Sequence, residues 1–223
     1  MKHEIIKDIN ILTDFINWLP DLKPTEKFYV ALFARKKYDK TLQTTASDKM
    51  QLKRLLCTKE NMVKKIKQLE IDEGLYHLKD RVATQKSLAI YITPSPRCMI
   101  KANKDLLIRL AKAVSNQNFY NNIHAEALSC VQRSRSYAYV VDFDIDDKSI
   151  DLSLIDDIMT RDCYEILETR GGYHILVNPS MASNFRDWHS KIKKTFPCDI
   201  TGDQMIPIPG CTQGEFIPKF LKL

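Results

Sequence analysis

The sequence predicts an α/β chain of the α+β kind, with helices flanking a central mixed or antiparallel sheet, and two observations carry that prediction. Segments with helical and with strand-like apolar spacing follow one another along all 223 residues, without a repeat, a low-complexity tract or an obvious linker, as expected for layered secondary structure around a core. The four residues TRGG at 169–172, with their Gly-Gly turn, separate the runs YEILE and YHILV, and so short a connection argues for at least one antiparallel pair. With 44% apolar residues the chain can bury one substantial core, and a single domain over 1–223 is expected.

The elements follow in order. Ile5, Ile6, Ile9, Leu12, Phe15 and Ile16 fit one face of a helix over 2–18, closed by Pro20. FYVALFAR (28–35) is rich in aromatic and β-branched residues and predicts a strand leading into Arg35, Lys36 and Lys37. Thr58 can cap a helix running to Leu69, with Gly74 ending the element. SLAIYITPSPR (87–97) predicts a buried strand broken by two prolines, and helices are expected over 103–114 and 122–132. SYAYVVDFDID (136–146) predicts a strand with an acidic far end. A helix over 152–160, the Gly-Gly hairpin, a helix over 184–195 and a last pair of short strands around PIPG complete the chain.

Charge is segregated along the sequence. Residues 1–139 carry 25 Lys and Arg against 14 Asp and Glu, whereas residues 140–223 carry 9 against 14. A basic front and an acidic rear suit a protein that holds a polyanion near divalent cations, although a solvated surface also scatters charge unevenly. Six widely spaced cysteines, with no CxxC, predict reduced and mostly buried thiols rather than a zinc module. No apolar run approaches the roughly 18 residues that cross a bilayer, and the start lacks a signal-peptide layout. The expected location is the cytoplasm, or the nucleus of a eukaryote, with no membrane partner.

Three clusters carry chemistry. In YVVDFDID, strand alternation puts Asp142 and Asp144 on one face and Val141 and Phe143 on the other. Two carboxylates so placed call for a cation, and oxygen donors suit Mg²⁺ or Mn²⁺. A strand end emerging into solvent is the plainer reading, with Asp146 and Asp147 merely continuing the run. In ETRGGYHILV, Thr169 and Arg170 precede the turn, and His174 follows it on a strand able to lie beside the acidic one. Gly171 and Gly172 let backbone N–H groups approach a phosphate, Arg170 can fork onto phosphate oxygens, and His174 can donate to them. Alone, His174 equally fits a satisfied core histidine. In CDITGDQMIPIPGCTQG (198–214), Asp199 is a candidate third metal ligand and Asp203 its competitor. A third acid is useful where two ions hold the attacking and leaving oxygens, while an isolated loop Asp is usually a turn former.

Taken in order, D-F-D ending at Asp144, R-G-G-Y-H ending at His174, and C-D at Asp199 followed by ITGD and PIPG resemble the three motifs of the archaeo-eukaryotic primase superfamily. The resemblance covers residues 136–214; residues 1–135 fit only in general character, as a basic helix and strand module. It implies a phage- or plasmid-type primase-polymerase catalytic domain with an RRM-like core. Asp142, Asp144 and Asp199 would then be catalytic acids binding two Mg²⁺ or Mn²⁺ ions, and His174 would meet the phosphates of an incoming NTP or dNTP, near Thr169 and Gly172. Arg170, which would also contact the nucleotide, stands where many relatives have a serine. One ion would activate a 3′-hydroxyl and both would stabilise charge on the α-phosphate and pyrophosphate. DNA template and primer are the implied partners, laid on Arg35, Lys36, Lys37, Arg97, Arg133 and Arg135, with Tyr91 and Tyr137 available for stacking. Because the chain ends soon after the last motif, a replicative helicase or accessory subunit is expected on a partner.

Three rival readings use the same residues. DFDID also resembles the DxD of haloacid-dehalogenase-type phosphatases, but Asp146 stands where that motif wants Thr or Val. A catalytically inactive nucleic-acid-binding module would bind template without synthesis, and a metal-dependent nuclease would shorten strands rather than lengthen them.

Overall fold

Two five-stranded antiparallel sheets and a two-stranded one, His77–Leu78 with Arg81–Val82, carry the chain, and the computed structural model describes residues 1–42, 48–78 and 81–221 of it. In chain order the elements are α1 (Ile9–Trp18), β1 (Glu26–Arg35), β2 (Lys49–Cys57), α2 (Met62–Lys67), β3 (His77–Leu78), β4 (Arg81–Val82), β5 (Leu88–Ile92), β6 (Arg97–Cys98), α3 (Met99–Ser115) and α4 (Ile123–Arg133). The acidic half follows with β7 (Val141–Ile145), β8 (Tyr164–Glu168), β9 (Tyr173–Val177), α5 (Phe185–Thr195), β10 (Asp199–Thr201), β11 (Ile206–Pro207) and β12 (Lys219–Phe220). No helix among the described residues is long and apolar enough to cross a membrane.

The first sheet has the order β11-β5-β1-β2, with β6 paired to the start of β1. Alternation along β1 sends Phe28, Val30, Leu32 and Ala34 into the main core with Leu12 and Phe15 of α1 and Met62 and Ile66 of α2. Tyr29 and Ala31 point the other way, against Ala102 of α3 and Leu128 and Val131 of α4. That second face ends in Arg35, which lies opposite Lys49 of β2 in the register.

The second sheet has the order β10-β7-β9-β8-β12, every neighbouring pair antiparallel. Strands β7 and β8 both oppose β9 and therefore run parallel to each other, as do β9 and β10, which α5 connects. Val141, Phe143 and Ile145 pack with Ile175, Val177 and the α5 residues Trp188 and Ile192. Burying a side chain such as Phe143 completely is worth about 1.5–3 kcal/mol. The opposite face of β7 and β9 carries Asp142, Asp144, His174 and Leu176, and Leu176 joins the main core.

The C-terminal segment stitches the sheets together. Strand β11 adds to β5 of the first sheet, Thr212 N–H donates to Ile5 and Gly214 N–H to Leu88, and β12 then joins β8 of the second sheet. A division into residues 1–135 and 136–214 thus separates charge but not the sheets, since 206–214 belong to the first.

Several element bounds differ from the expectations. The first helix starts at Ile9, where the Asp8 carboxylate caps Asn10 and Ile11 N–H. Residues before it are extended because Glu70 draws Ile5 and Ile6 N–H to its carboxylate. The expected helix over 152–160 is only a 3₁₀ turn, Leu152–Ile155. Asp151 accepts from the backbone and hydroxyl of Ser153 there, a local bond that competes with helix propagation. The acidic strand begins at Val141 rather than 136, because Ser136 and Tyr139 N–H are taken by Pro96 and by the Ser95 hydroxyl. Strand β2 carried no reading from sequence; its alternation is blurred by Lys53 and Arg54 and by a register shift opposite Leu32 and Phe33.

Candidate active site

The acidic strand sits between two partners that complete one face. Asp144 lies directly opposite His174 of β9 on one side and Asp199 of β10 on the other. Cross-strand partners share a face, so these three groups form a row across three strands. Asp142, two residues earlier on β7, shares that face and is almost wholly buried.

His174 is the hinge of the row. Its Nδ1 lies 2.9 and 3.0 Å from the two Asp142 carboxylate oxygens, and its Nε2 lies 3.5 Å from Asp144 Oδ1. Burial works against the imidazolium, but the charge and hydrogen bond of Asp142, with Asp144 and Asp146 behind them, hold the His174 pKa above its ordinary value. Asp144 is the more accessible acid. Burial pushes its carboxyl above the ordinary carboxylate range despite the opposing charge of His174, and Asp142 and Asp146 add to that.

The facing wall is basic. Arg35, Lys37 and Lys49 line the same cleft as Asp144, Asp146, Thr169, Gly171 and His174. Asp48 anchors this wall, accepting from Arg35 Nε at 2.7 Å and from Lys37 N–H at 2.7 Å. Arg35 also donates to the Tyr91 hydroxyl at 2.5 Å, and Lys49 sits 5.7 Å from the centre of the Tyr91 ring. Burial and the neighbouring Arg35 and Lys37 charges draw the Lys49 pKa below the usual lysine range, so the wall favours an incoming anion.

No family model, curated protein or solved structure matches the chain.

The carboxylates of Asp144 and Asp199 are the donor type that suits a hard divalent ion completed by water and substrate oxygens. Asp142 is turned to His174, and among the described residues no three acidic, imidazole or thiol groups close into a metal-holding cluster. The expected triad is thus aligned along the sheet but not gathered around a common point.

Other expected contacts are placed differently. Asp203, the alternative third ligand, forms a two-pronged pair with Arg97 at 2.8 and 2.7 Å. Arg97 is fully buried and also donates to the Thr93 hydroxyl, so it is a structural cation and not part of an open groove. Arg133 pairs with Glu126 and Asp105 on the α3–α4 hairpin, and Arg135 donates to the Gly202 carbonyl. Lys36 flanks the cleft wall beside Lys37 without lining the cleft, and Tyr137 is exposed. Arg170 leaves the cleft, stacking 4.7 Å over Tyr38 and donating to the Gly214 carbonyl. Lys49, which lines the cleft, and Asp48, which anchors its basic wall, carried no reading from sequence; the alternation of Lys49, Met50, Gln51 and Leu52 was the available signal.

Within the Gly-Gly turn, Gly172 is fixed by packing. A Cβ on Gly172 would lie 1.8 Å from the Ile145 carbonyl oxygen, and Gly172 N–H is already donated to the Thr169 hydroxyl. At Gly171 the nearest atom to an added Cβ is Asp146 Oδ1 at 3.5 Å, an ordinary contact. Gly172→Ala is accordingly expected to cost roughly 3 kcal/mol, the upper end of the overpacking range, and Gly171→Ala well under about 1 kcal/mol. Thermal unfolding of the two variants side by side checks this; equal losses would overturn it.

Proposed function

We propose that the cleft catalyses divalent-metal-dependent nucleotidyl transfer onto a DNA or RNA strand, as in the primase-polymerases that the motif order resembles. The observation that carries the proposal is the opposition of walls: Asp144, flanked in register by His174 and Asp199, faces Arg35, Lys37 and Lys49 across one cleft. A triphosphate brings its own negative charge and its own metal-bridging oxygens, so it matches cations on one side and carboxylates on the other.

On this reading Asp144 and Asp199 would hold a divalent ion, and His174, kept in place by Asp142, would meet a phosphate. The ion supplies charge stabilisation at the reacting phosphorus. Arg35, fixed by Asp48 and Tyr91, would orient the phosphates together with Lys37 and Lys49. The second sheet supports the assignment too: its order β10-β7-β9-β8, with α5 joining β9 to β10, follows the split β-α-β-β-α-β plan of RRM-like cores, with the first helix reduced to 3₁₀ turns.

The phosphatase reading has less support, because its nucleophile would be Asp142, which is buried with both oxygens on His174. Incubating the protein with a labelled primed template, Mn²⁺ or Mg²⁺ and either dNTPs or NTPs tests the proposal directly. Lengthened products are expected, and an unprimed arm reports initiation. Shortened products would assign the cleft to a nuclease, and template binding without any product would assign a non-catalytic module.

A further inference from the structure

Away from the cleft, exposed apolar side chains concentrate on α3 and the turn into α4. Ile100, Leu107 and Val114 are 63%, 68% and 77% exposed, and their spacing of seven residues sets them in one row along the helix. Ile108, Phe119 and Ile123 extend the exposed patch toward α4. The other side of α3 is already satisfied, with Met99, Ala102 and Leu106 packed against the first sheet and α4. A helix apolar on both sides is normally covered on both, and patches of this kind rimmed by polar residues mark interaction sites.

The rim has one sign. At 100° per residue Lys104, Lys101 and Lys112 fall on one flank of the row, all exposed. The acid on this helix, Asp105, is engaged by Arg109 and Arg133. Lys101 reaches the Arg135 carbonyl at 3.1 Å, and Lys104 and Lys112 have no acidic partner among the described residues. We propose that this face of α3 docks an acidic amphipathic helix of a partner protein, whose apolar row packs on Ile100, Leu107 and Val114 while its carboxylates meet the lysine flank. Aliphatic residues at helical spacing suit a second helix, whereas base stacking uses aromatic faces. Two copies of this chain packed antiparallel through the row would set lysine flank against lysine flank. The proposal stands independently of the chemistry assigned to the cleft.

The test uses the full chain and a fluorescent synthetic peptide of about 18 residues, long enough to span the row, with leucines along one side and glutamates on both flanks. Saturable binding is expected, with no binding of the matching lysine-flanked peptide. Leu107→Asp, an exposed change that thermal unfolding should show to be tolerated, is expected to weaken binding about tenfold or more, and Lys104→Glu with Lys112→Glu to weaken it comparably. Absent binding, or equal binding by Leu107→Asp, overturns the proposal. So does either alternative occupant: self-association in sedimentation that Leu107→Asp abolishes, which assigns the face to a second copy, or loss of single-stranded DNA binding in that variant, which assigns it to nucleic acid.

Discussion

Asp144→Asn is expected to reduce strand extension by about a hundredfold or more, the scale of losing several kcal/mol of metal-borne charge stabilisation, while the protein stays folded. Asp144 is held among like charges, with Asp142 on its own strand and Asp146 beyond it, and its carboxyl is pushed upward by burial. Asparagine keeps the shape and relieves that repulsion, so the metal-free variant should unfold at the same temperature as the parent or higher. Divalent ion should raise the melting temperature of the parent and leave Asp144→Asn almost unmoved, since only a species that binds the ion is stabilised by it. Asp199→Asn, at an exposed position, should likewise lose extension without losing stability. Asp142→Asn is less informative because it removes the carboxylate that satisfies buried His174. Undiminished extension by both the Asp144 and Asp199 variants would remove the site assignment.

The second large effect is expected at a pair far less visible in activity. Asp203→Ala should destabilise the fold by about 3–5 kcal/mol, because it leaves the Arg97 guanidinium buried without its counter-charge, and an arginine cannot shed its proton. The converse change, Arg97→Met, should cost less: Asp203 is about a third exposed, at 36%, and can turn to water. Asp203→Ala with Arg97→Met should therefore be more stable than Asp203→Ala alone. Denaturant unfolding of the two single variants and the double variant forms the cycle that measures this. If Asp203 were instead a metal ligand, its loss would show in metal dependence and not in stability.

The Arg97–Asp203 pair also shows where sequence reasoning stops. Both residues carried functional readings, one as a groove cation and one as a candidate ligand, since a charge in a sequence reveals its type but not its partner. The two lie 106 positions apart, and only folding brings them to 2.7 Å. Arg170 and Gly172 illustrate the same limit at short range. The residue types suggested phosphate contacts, but Tyr38 and Gly214 claim the guanidinium and the Ile145 carbonyl leaves no room for a side chain at 172.

By itself the sequence determined the alternation of β7, which puts Asp142 and Asp144 on one face, and the hairpin that returns His174 beside them, because strand period and turn chemistry are local properties. It also determined a basic front and an acidic rear. Tertiary structure alone decided that β10 would lie against β7 and place Asp199 opposite Asp144, that Asp48 would fix Arg35 and Lys37, and that Lys49 would face the acids across the cleft. Those are long-range pairings, set by which buried faces fit together, and no window of local sequence contains both members of such a pair.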